Sequence, residues 1–451
     1  MNFMKKVLLC AVSFLVIYSC DHAPIITNEE LDNSLTLLIK AHSPTASTDY
    51  FVMPESIDLH HLPNQDKKNA VNEAKVRLGS LLFFETGLGM EAKYDVSLKS
   101  YSCSSCHIPN RGFTAGRFQG IADGAVGFGK SGEARKKNAL YQGSEVDAQG
   151  ARPLPTINLA YVTNALWAGT FGSYGVNVGT ESVWNQDTLI NINHKGFEGL
   201  EANNQRALIV HRQVINKPLM DELGYTPLFD AAFPEYRAEN RYTRETGALA
   251  IAAYFRTIFT NQAPFQKWLK GDFEAMNTDQ KKGAILFFGK AGCVNCHKSP
   301  SFNAMEFQAV GVKNLFQSGY EVFRTDASDG RNFGRGGFTK RAEDMHKYKV
   351  PQLYNLKDVG FYFHGASKQS LRSVVEYFNR AVPENPDVPL TQISEFFKPL
   401  NLTSEEIDLV TSFISDGLFD PNLERYMPSK TMSGLCFPNN DTQSKLDMGC
   451  N

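Results

Sequence analysis

The chain has 451 residues, of which 42% are apolar and 12% aromatic, and its formal charge is −2. That balance fits a secreted globular protein of two domains and gives no sign of a nucleic-acid partner. Residues 1–20 read as an export signal: Lys5 and Lys6 precede the apolar run Val7 to Ile17, which is too short to span a membrane as a mature helix.

Tyr18-Ser19-Cys20 closes that run. With Ile17 it resembles a bacterial lipoprotein box, which would make Cys20 the lipidated first residue and the protein's one tie to a membrane; plain cleavage is the alternative. Residues 21–70, polar and interrupted by proline, read as a tether with little core. A helix is then expected over Arg77-Leu78-Gly79-Ser80-Leu81-Leu82-Phe83-Phe84. It delivers Cys103-Ser104-Ser105-Cys106-His107. The pattern recurs 190 residues on (293 − 103), where Lys282-Gly283-Ala284-Ile285-Leu286-Phe287-Phe288 precedes Cys293-Val294-Asn295-Cys296-His297. Thr403-Ser404-Glu405-Glu406 opens the last clear helix as a capping box, with Ile407, Val410, Phe413 and Ile414 at helical spacing. Cys436 and Cys450 remain in a polar tail, where an oxidising compartment would pair them; two free thiols are the competing reading.

Both pentapeptides are C-x-x-C-H, the signature of covalent c-type haem attachment. Thiols at i and i+3 fall on one side of a helical turn, placed to form thioethers with two vinyl groups, and the following His is placed to ligate iron. Two chance matches among 8 Cys and 10 His are improbable. Zinc would need coherent third and fourth ligands, and no further Cys lies close to either pair. A thioredoxin-type redox pair is the other bland reading. Two haems are therefore expected, with Cys103, Cys106, Cys293 and Cys296 as attachment points and His107 and His297 as iron ligands. The expected fold is mainly α: two fused cytochrome c-type haem domains with long loops, over 71–270 and 271–435, ending in a tail at 436–451.

The order of motifs resembles the bacterial di-haem cytochrome c peroxidases, the family that also contains the MauG-type enzymes. The resemblance runs from about residue 71 to 415. It is carried by Leu78-Gly79-x-x-Leu82-Phe83-Phe84 with the first haem segment, then Asp329-Gly330-Arg331, Tyr348-Lys349-Val350-Pro351-Gln352-Leu353-Tyr354-Asn355, Tyr362-Phe363-His364-Gly365 and Leu371 to Asn379.

That resemblance implies a division of labour. Hydrogen peroxide reacts at the haem on His107, and the haem on His297 receives electrons from a small cytochrome c or cupredoxin. It also implies a Trp relay between the haems, for which Leu166-Trp167-Ala168-Gly169 supplies Trp167; a buried aromatic filler is the alternative. No His stands between 108 and 193, so the first haem is expected to stay open. The family's distal Gln corresponds to Gln205. Where its Glu would follow stands Ile215, and His211, with Glu201 nearby, is the substitute candidate; an ordinary surface His is the alternative. The position that supplies the family's distal ligand to the second iron lands on Phe378, which cannot ligate, and Tyr377 beside it is the candidate. Calcium is not carried over, because Pro153-Leu154-Pro155-Thr156 and Val359 lack the oxygen ligands. The activity implied is peroxide reduction to water. The alternatives are MauG-like oxidation of Trp or Tyr side chains on a partner protein, and a plain di-haem electron carrier. A homodimer is compatible with any of these.

Overall fold

The computed structural model describes residues 27–450, so the export signal and Cys20 lie outside the described residues. The fold is mainly helical. Sheet among the described residues amounts to two antiparallel pairs of two-residue strands, β1 (Ala125–Val126) with β2 (Lys136–Lys137) and β3 (Phe307–Gln308) with β4 (Tyr348–Lys349).

The helices that position the sites begin at side-chain caps. Thr27 and Glu30 form a reciprocal capping box at the start of α1 (Asn28–His42). Asn72 caps α2 (Glu73–Phe84), the helix expected before the first haem motif. After α3 (Gly199–Val210), Thr243 caps α4 (Arg244–Phe255). Asn277 and Gln280 open α5 (Thr278–Phe288), the helix before the second motif, and Ser370 caps α6 (Leu371–Arg380). The expected Thr403–Glu406 box opens α7 (Ser404–Ser412), which buries Ile407 and Val410. A further helix, α8 (Thr442–Met448), lies in the tail.

The repeat seen in sequence is a packing repeat. Gly79 lies where α2 crosses α4, and a Cβ there would come 2.0 Å from the Ala250 carbonyl oxygen. Gly283, at the same offset before its Phe-Phe pair, lies where α5 crosses α7, and a Cβ would come 2.0 Å from the Leu409 carbonyl oxygen. Replacing a helical glycine by alanine raises helix propensity by about 1 kcal/mol. Overpacking a tight crossing costs about 1–3 kcal/mol, more than the propensity returns. Gly79→Ala and Gly283→Ala are each expected to lower the thermal midpoint; a rise in either would show that the crossing can open.

Two cores result. One gathers Leu78, Leu82, Phe83, Phe84, Phe113 and Leu249, with Cys103 at its edge. The other gathers Phe287, Phe288, Phe302, Val410 and Phe413, with Cys293 at its edge. Each end of the chain packs on the half farther from it in sequence. Residues 28–70 are not a tether with little core: Leu35, Ile39, Phe51 and Met53 are buried in the second core, and Asp32 accepts hydrogen bonds from Trp268 Nε1 (2.7 Å) and Lys281 Nζ (2.9 Å). The spacing of Leu31, Leu35 and Ile39 puts one apolar stripe on α1, and that stripe is what docks. The tail is equally ordered. Cys436 and Cys450 form a disulfide, the pairing expected from the sequence. The Pro438 carbonyl accepts from Ser102 Oγ at 2.9 Å and Ser105 Oγ at 3.2 Å, so the tail lies directly on the first haem segment.

Candidate haem sites and active site

Each C-x-x-C-H stretch is a tight turn closed by the same bonds. The Cys103 carbonyl accepts from Cys106 N and His107 N, both at 3.2 Å; the Cys293 carbonyl accepts from Cys296 N at 3.2 Å and His297 N at 3.0 Å. None of the four cysteines is in a disulfide, and burial pushes the thiols of Cys103, Cys106 and Cys293 up to about 12. A redox-active pair needs a depressed thiol, so the thioredoxin reading fails on this electrostatics. Among the described residues no group of three or more His, Cys, Asp or Glu is placed to hold a metal ion.

The imidazoles are set alike. His107 Nδ1 donates to the Phe113 carbonyl at 3.1 Å and His297 Nδ1 to the Phe302 carbonyl at 2.6 Å. A carbonyl can only accept, so Nδ1 carries the proton and Nε2 is left as the ligating atom. Burial pulls both imidazoles down to about 4, which keeps them neutral as iron ligation requires; the nearby His211 adds to the effect on His107. Phe113 and Phe302 both sit at φ +55°, an uncommon conformation for a bulky residue. The same strained residue at both sites is a repeat with no counterpart in the residue spacing around it.

Space for the group is built as well. Cys293, Cys296 and His297 open into a cavity of about 510 Å³ walled mainly by apolar side chains, among them Phe378. At the first site the backbone closes on the thiol: a Cβ on Gly120 would meet Cys106 Sγ at 3.0 Å and Gln149 Oε1 at 2.7 Å, and Gln149 Oε1 is buried without a partner. At both sites the donor set, two thiols and an imidazole protonated on Nδ1, fits covalent haem.

The remaining expected residues separate. His211, at the C-terminal end of α3, donates from Nδ1 to Asp147 Oδ2 at 2.7 Å. Burial opposes its charge, but the Asp147 carboxylate more than offsets this and the imidazole is held above its ordinary range. Glu201 is not near it. Its carboxylate is fully buried in an ion pair with Arg256, Nη2 to Oε2 at 2.9 Å, and accepts from Asn69 Nδ2 at 3.0 Å. With both oxygens engaged by fixed donors, Glu201 is corrected from a distal acid to a structural counter-ion. Gln205 Oε1 accepts from Lys195 Nζ at 3.3 Å and its Nε2 donates to the Glu201 carbonyl at 3.4 Å, contacts that tie it to α3 and its neighbour and not to His211.

Trp167 lines the cavity of the second site, and its Nε1 donates to the Arg152 carbonyl at 2.7 Å. Its ring stands 6.1 Å from that of His364 and 6.5 Å from that of Tyr348, edge-on to both. Segment 152–156 connects it to the first site, because the Phe113 carbonyl that holds His107 also accepts from Thr156 N at 3.1 Å. Tyr377 does not line the cavity. Its hydroxyl donates to the Val310 carbonyl at 2.6 Å and its ring packs on Phe397, while Phe378, one residue on, faces the cavity. The helical phase of α6 therefore corrects Tyr377 from candidate iron ligand to core residue.

Three residues were not anticipated as participants. Asp147 is one. Gln213 is another, its Oε1 3.6 Å from Cys103 Sγ. The third is Lys349, whose amine lines the second cavity with the Asn164 carbonyl at 2.8 Å as partner, and burial pulls it down to about 7.

Residues 73–274 match the family model described as di-haem cytochrome c peroxidase. Over that segment, which holds the first haem motif, the chain is similar to the di-haem cytochrome c peroxidases. It carries two covalently bound haem c groups, as the two attachment sites require. Among curated relatives it is 28% identical to the methylamine utilization protein MauG of Methylorubrum extorquens, over 81% of this chain and 82% of the relative. It is 26% identical to the cytochrome-c peroxidase IdrP1 of Denitromonas iodatirespirans, over 77% and 82%. A solved MauG-like protein associated with microbial copper homeostasis superposes with a TM-score of 0.54 at 20% identity, covering 82% of this chain and 95% of that one, a likeness of fold.

Proposed function

We propose that this protein reduces hydrogen peroxide to water at the haem on His107, using electrons that enter at the haem on His297 from a small periplasmic cytochrome c or cupredoxin. The observation that carries this reading is the asymmetry of the two sites. The first has an oriented, ionisable imidazole, His211, whose charge acts on the ligand His107, whereas the second opens into a cavity walled mainly by apolar side chains, Phe378 among them. When bound, the haems would supply the iron that reacts with peroxide and storage for the two electrons that its reduction consumes.

The chain's own residues do the rest. The tight turns hold each haem by two thioethers, and the carbonyls of Phe113 and Phe302 fix the ligating imidazoles. His211 takes a proton from peroxide at Nε2 and returns it to the departing oxygen, the general acid–base role that a fixed imidazole suits. Gln205 and Glu201 have no part in that step. The balance is one peroxide, two electrons and two protons to two waters. Peroxide-dependent oxidation of a reduced small cytochrome, two equivalents per peroxide, tests the reading; no oxidation of any donor alongside rapid reaction of the protein with peroxide would favour the second reading. That second reading, oxidation of Trp or Tyr on a partner protein, has support in the similarity to MauG over most of both chains.

Trp167 serves as the relay in either case, being linked through Arg152 and segment 152–156 to the residue that holds His107. Trp167→Phe is expected to leave the reaction with peroxide near its normal rate but to slow re-reduction of the first site by reduced cytochrome, since hopping through an aromatic becomes one longer tunnelling step. Unchanged re-reduction with only a stability loss of about 1–3 kcal/mol would make Trp167 a packing residue. Export and a lipid anchor on Cys20 complete the proposal; a mature N-terminus other than modified Cys20 in the protein's mass would remove the anchor.

A further inference from the structure

The first site has an oriented base, and something must orient it. We propose that Asp147 is the positioning residue for His211, fixing its tautomer so that the imidazole turns the lone pair of Nε2, not Nδ1, toward peroxide. This rests on the role of His211 given above and deepens it. Asp147 Oδ2 lies 2.7 Å from His211 Nδ1, and the carboxylate side chain is almost wholly buried. An ionised carboxylate only accepts, so Nδ1 is the protonated nitrogen and the neutral ring has its free lone pair on Nε2.

The carboxylate is itself mounted rigidly. Asp147 N donates to the Asp123 carbonyl and its own carbonyl accepts from Ala122 N, both at 2.9 Å. The buried Arg135 holds the carbonyls of Ile121 and Ala122, each at 2.7 Å, and pairs with Asp441 of the tail. From the other side, Arg212 turns the chain at φ +53° and its guanidinium pairs with Asp123 and donates to the Glu145 carbonyl at 3.0 Å. Both partners of the His211–Asp147 contact are therefore anchored on the same short frame.

With the tautomer fixed, Nε2 takes the proton of the peroxide oxygen that binds. The imidazolium gives it to the other oxygen as the O–O bond breaks, and that oxygen leaves as water. The remaining oxygen becomes the second water on taking two electrons from the reduced donor protein and two protons from solvent. A carboxamide at 147 could turn its NH₂ toward Nδ1 and impose the opposite tautomer, with hydrogen on Nε2.

The test uses the holoprotein with Asp147→Asn, Asp147→Glu and His211→Ala, and reads both the C–O stretch of the carbon monoxide complex of the reduced first haem and the rate of reaction with peroxide. In Asp147→Asn, a hydrogen donated from Nε2 to the bound ligand should lower the stretch, and the peroxide rate should fall about 10–100-fold. Asp147→Glu should keep the wild-type stretch and recover most of the rate. A wild-type stretch in Asp147→Asn overturns the proposal, whether or not the rate falls. A stretch unmoved in His211→Ala also overturns it, because His211 would then not face the ligand. If the wild-type protein fails to react with peroxide, the peroxidase reading fails, and the stretch still decides whether Asp147 sets the tautomer.

Discussion

Substituting His211 by Ala is expected to slow the reaction of the holoprotein with hydrogen peroxide by about 10²–10⁴-fold, the usual range for a lost general acid–base. The effect should appear in the chemical step, with haem content unchanged. His211 holds no thioether and its ring makes one strong contact, to Asp147. The fold should tolerate the change at moderate cost, since Asp147 keeps its backbone bonds to Ala122 and Asp123. Stopped-flow mixing with peroxide, alongside pyridine haemochrome quantification, checks both halves. A variant that reacts at the wild-type rate would return His211 to the status of a surface histidine.

Removing the Glu201 carboxylate should act on stability instead. Glu201 and Arg256 are both essentially without solvent contact, and deleting one partner of a buried pair leaves the other charge uncompensated, at about 3–5 kcal/mol. Glu201→Ala is therefore expected to lower the unfolding midpoint strongly while the folded fraction reacts with peroxide within a few-fold of wild type. A Glu201→Ala protein of normal stability but abolished peroxide reactivity would contradict the assignment and restore the carboxylate to the chemistry. Because Glu201 and His211 lie on the same short stretch of chain, comparing the two variants separates holding α3 in place from moving protons at its end.

What could be read in the sequence follows the range of the interactions. The attachment motifs, the helices before them and the Thr403–Glu406 box depend on residues within a few positions of each other, and local spacing reveals them. The disulfide could be reached by elimination, since the other described cysteines all belong to haem motifs. Tyr377 was misplaced by helical phase: residues one apart on α6 face about 100° apart, and nothing local says which of Tyr377 and Phe378 meets the cavity. The roles of Glu201 and His211 depend on Arg256 and Asp147, 55 and 64 residues away, and only the folded chain sets those partners side by side. The apolar stripe of α1 was visible in principle at Leu31, Leu35 and Ile39, but that it docks on the second core is a long-range fact.

In the proposed mechanism the haem on His107 is the open, peroxide-reactive one, with His211 beside it and not bound to it. Low-temperature EPR of the fully oxidised holoprotein, before and after one equivalent of peroxide, tests it most directly. One high-spin ferric signal is expected, which peroxide removes and which is absent from a His107→Gly variant. Two low-spin signals, one of them converted to high-spin by His211→Ala, would contradict it, since His211 would then close the first iron as a sixth ligand.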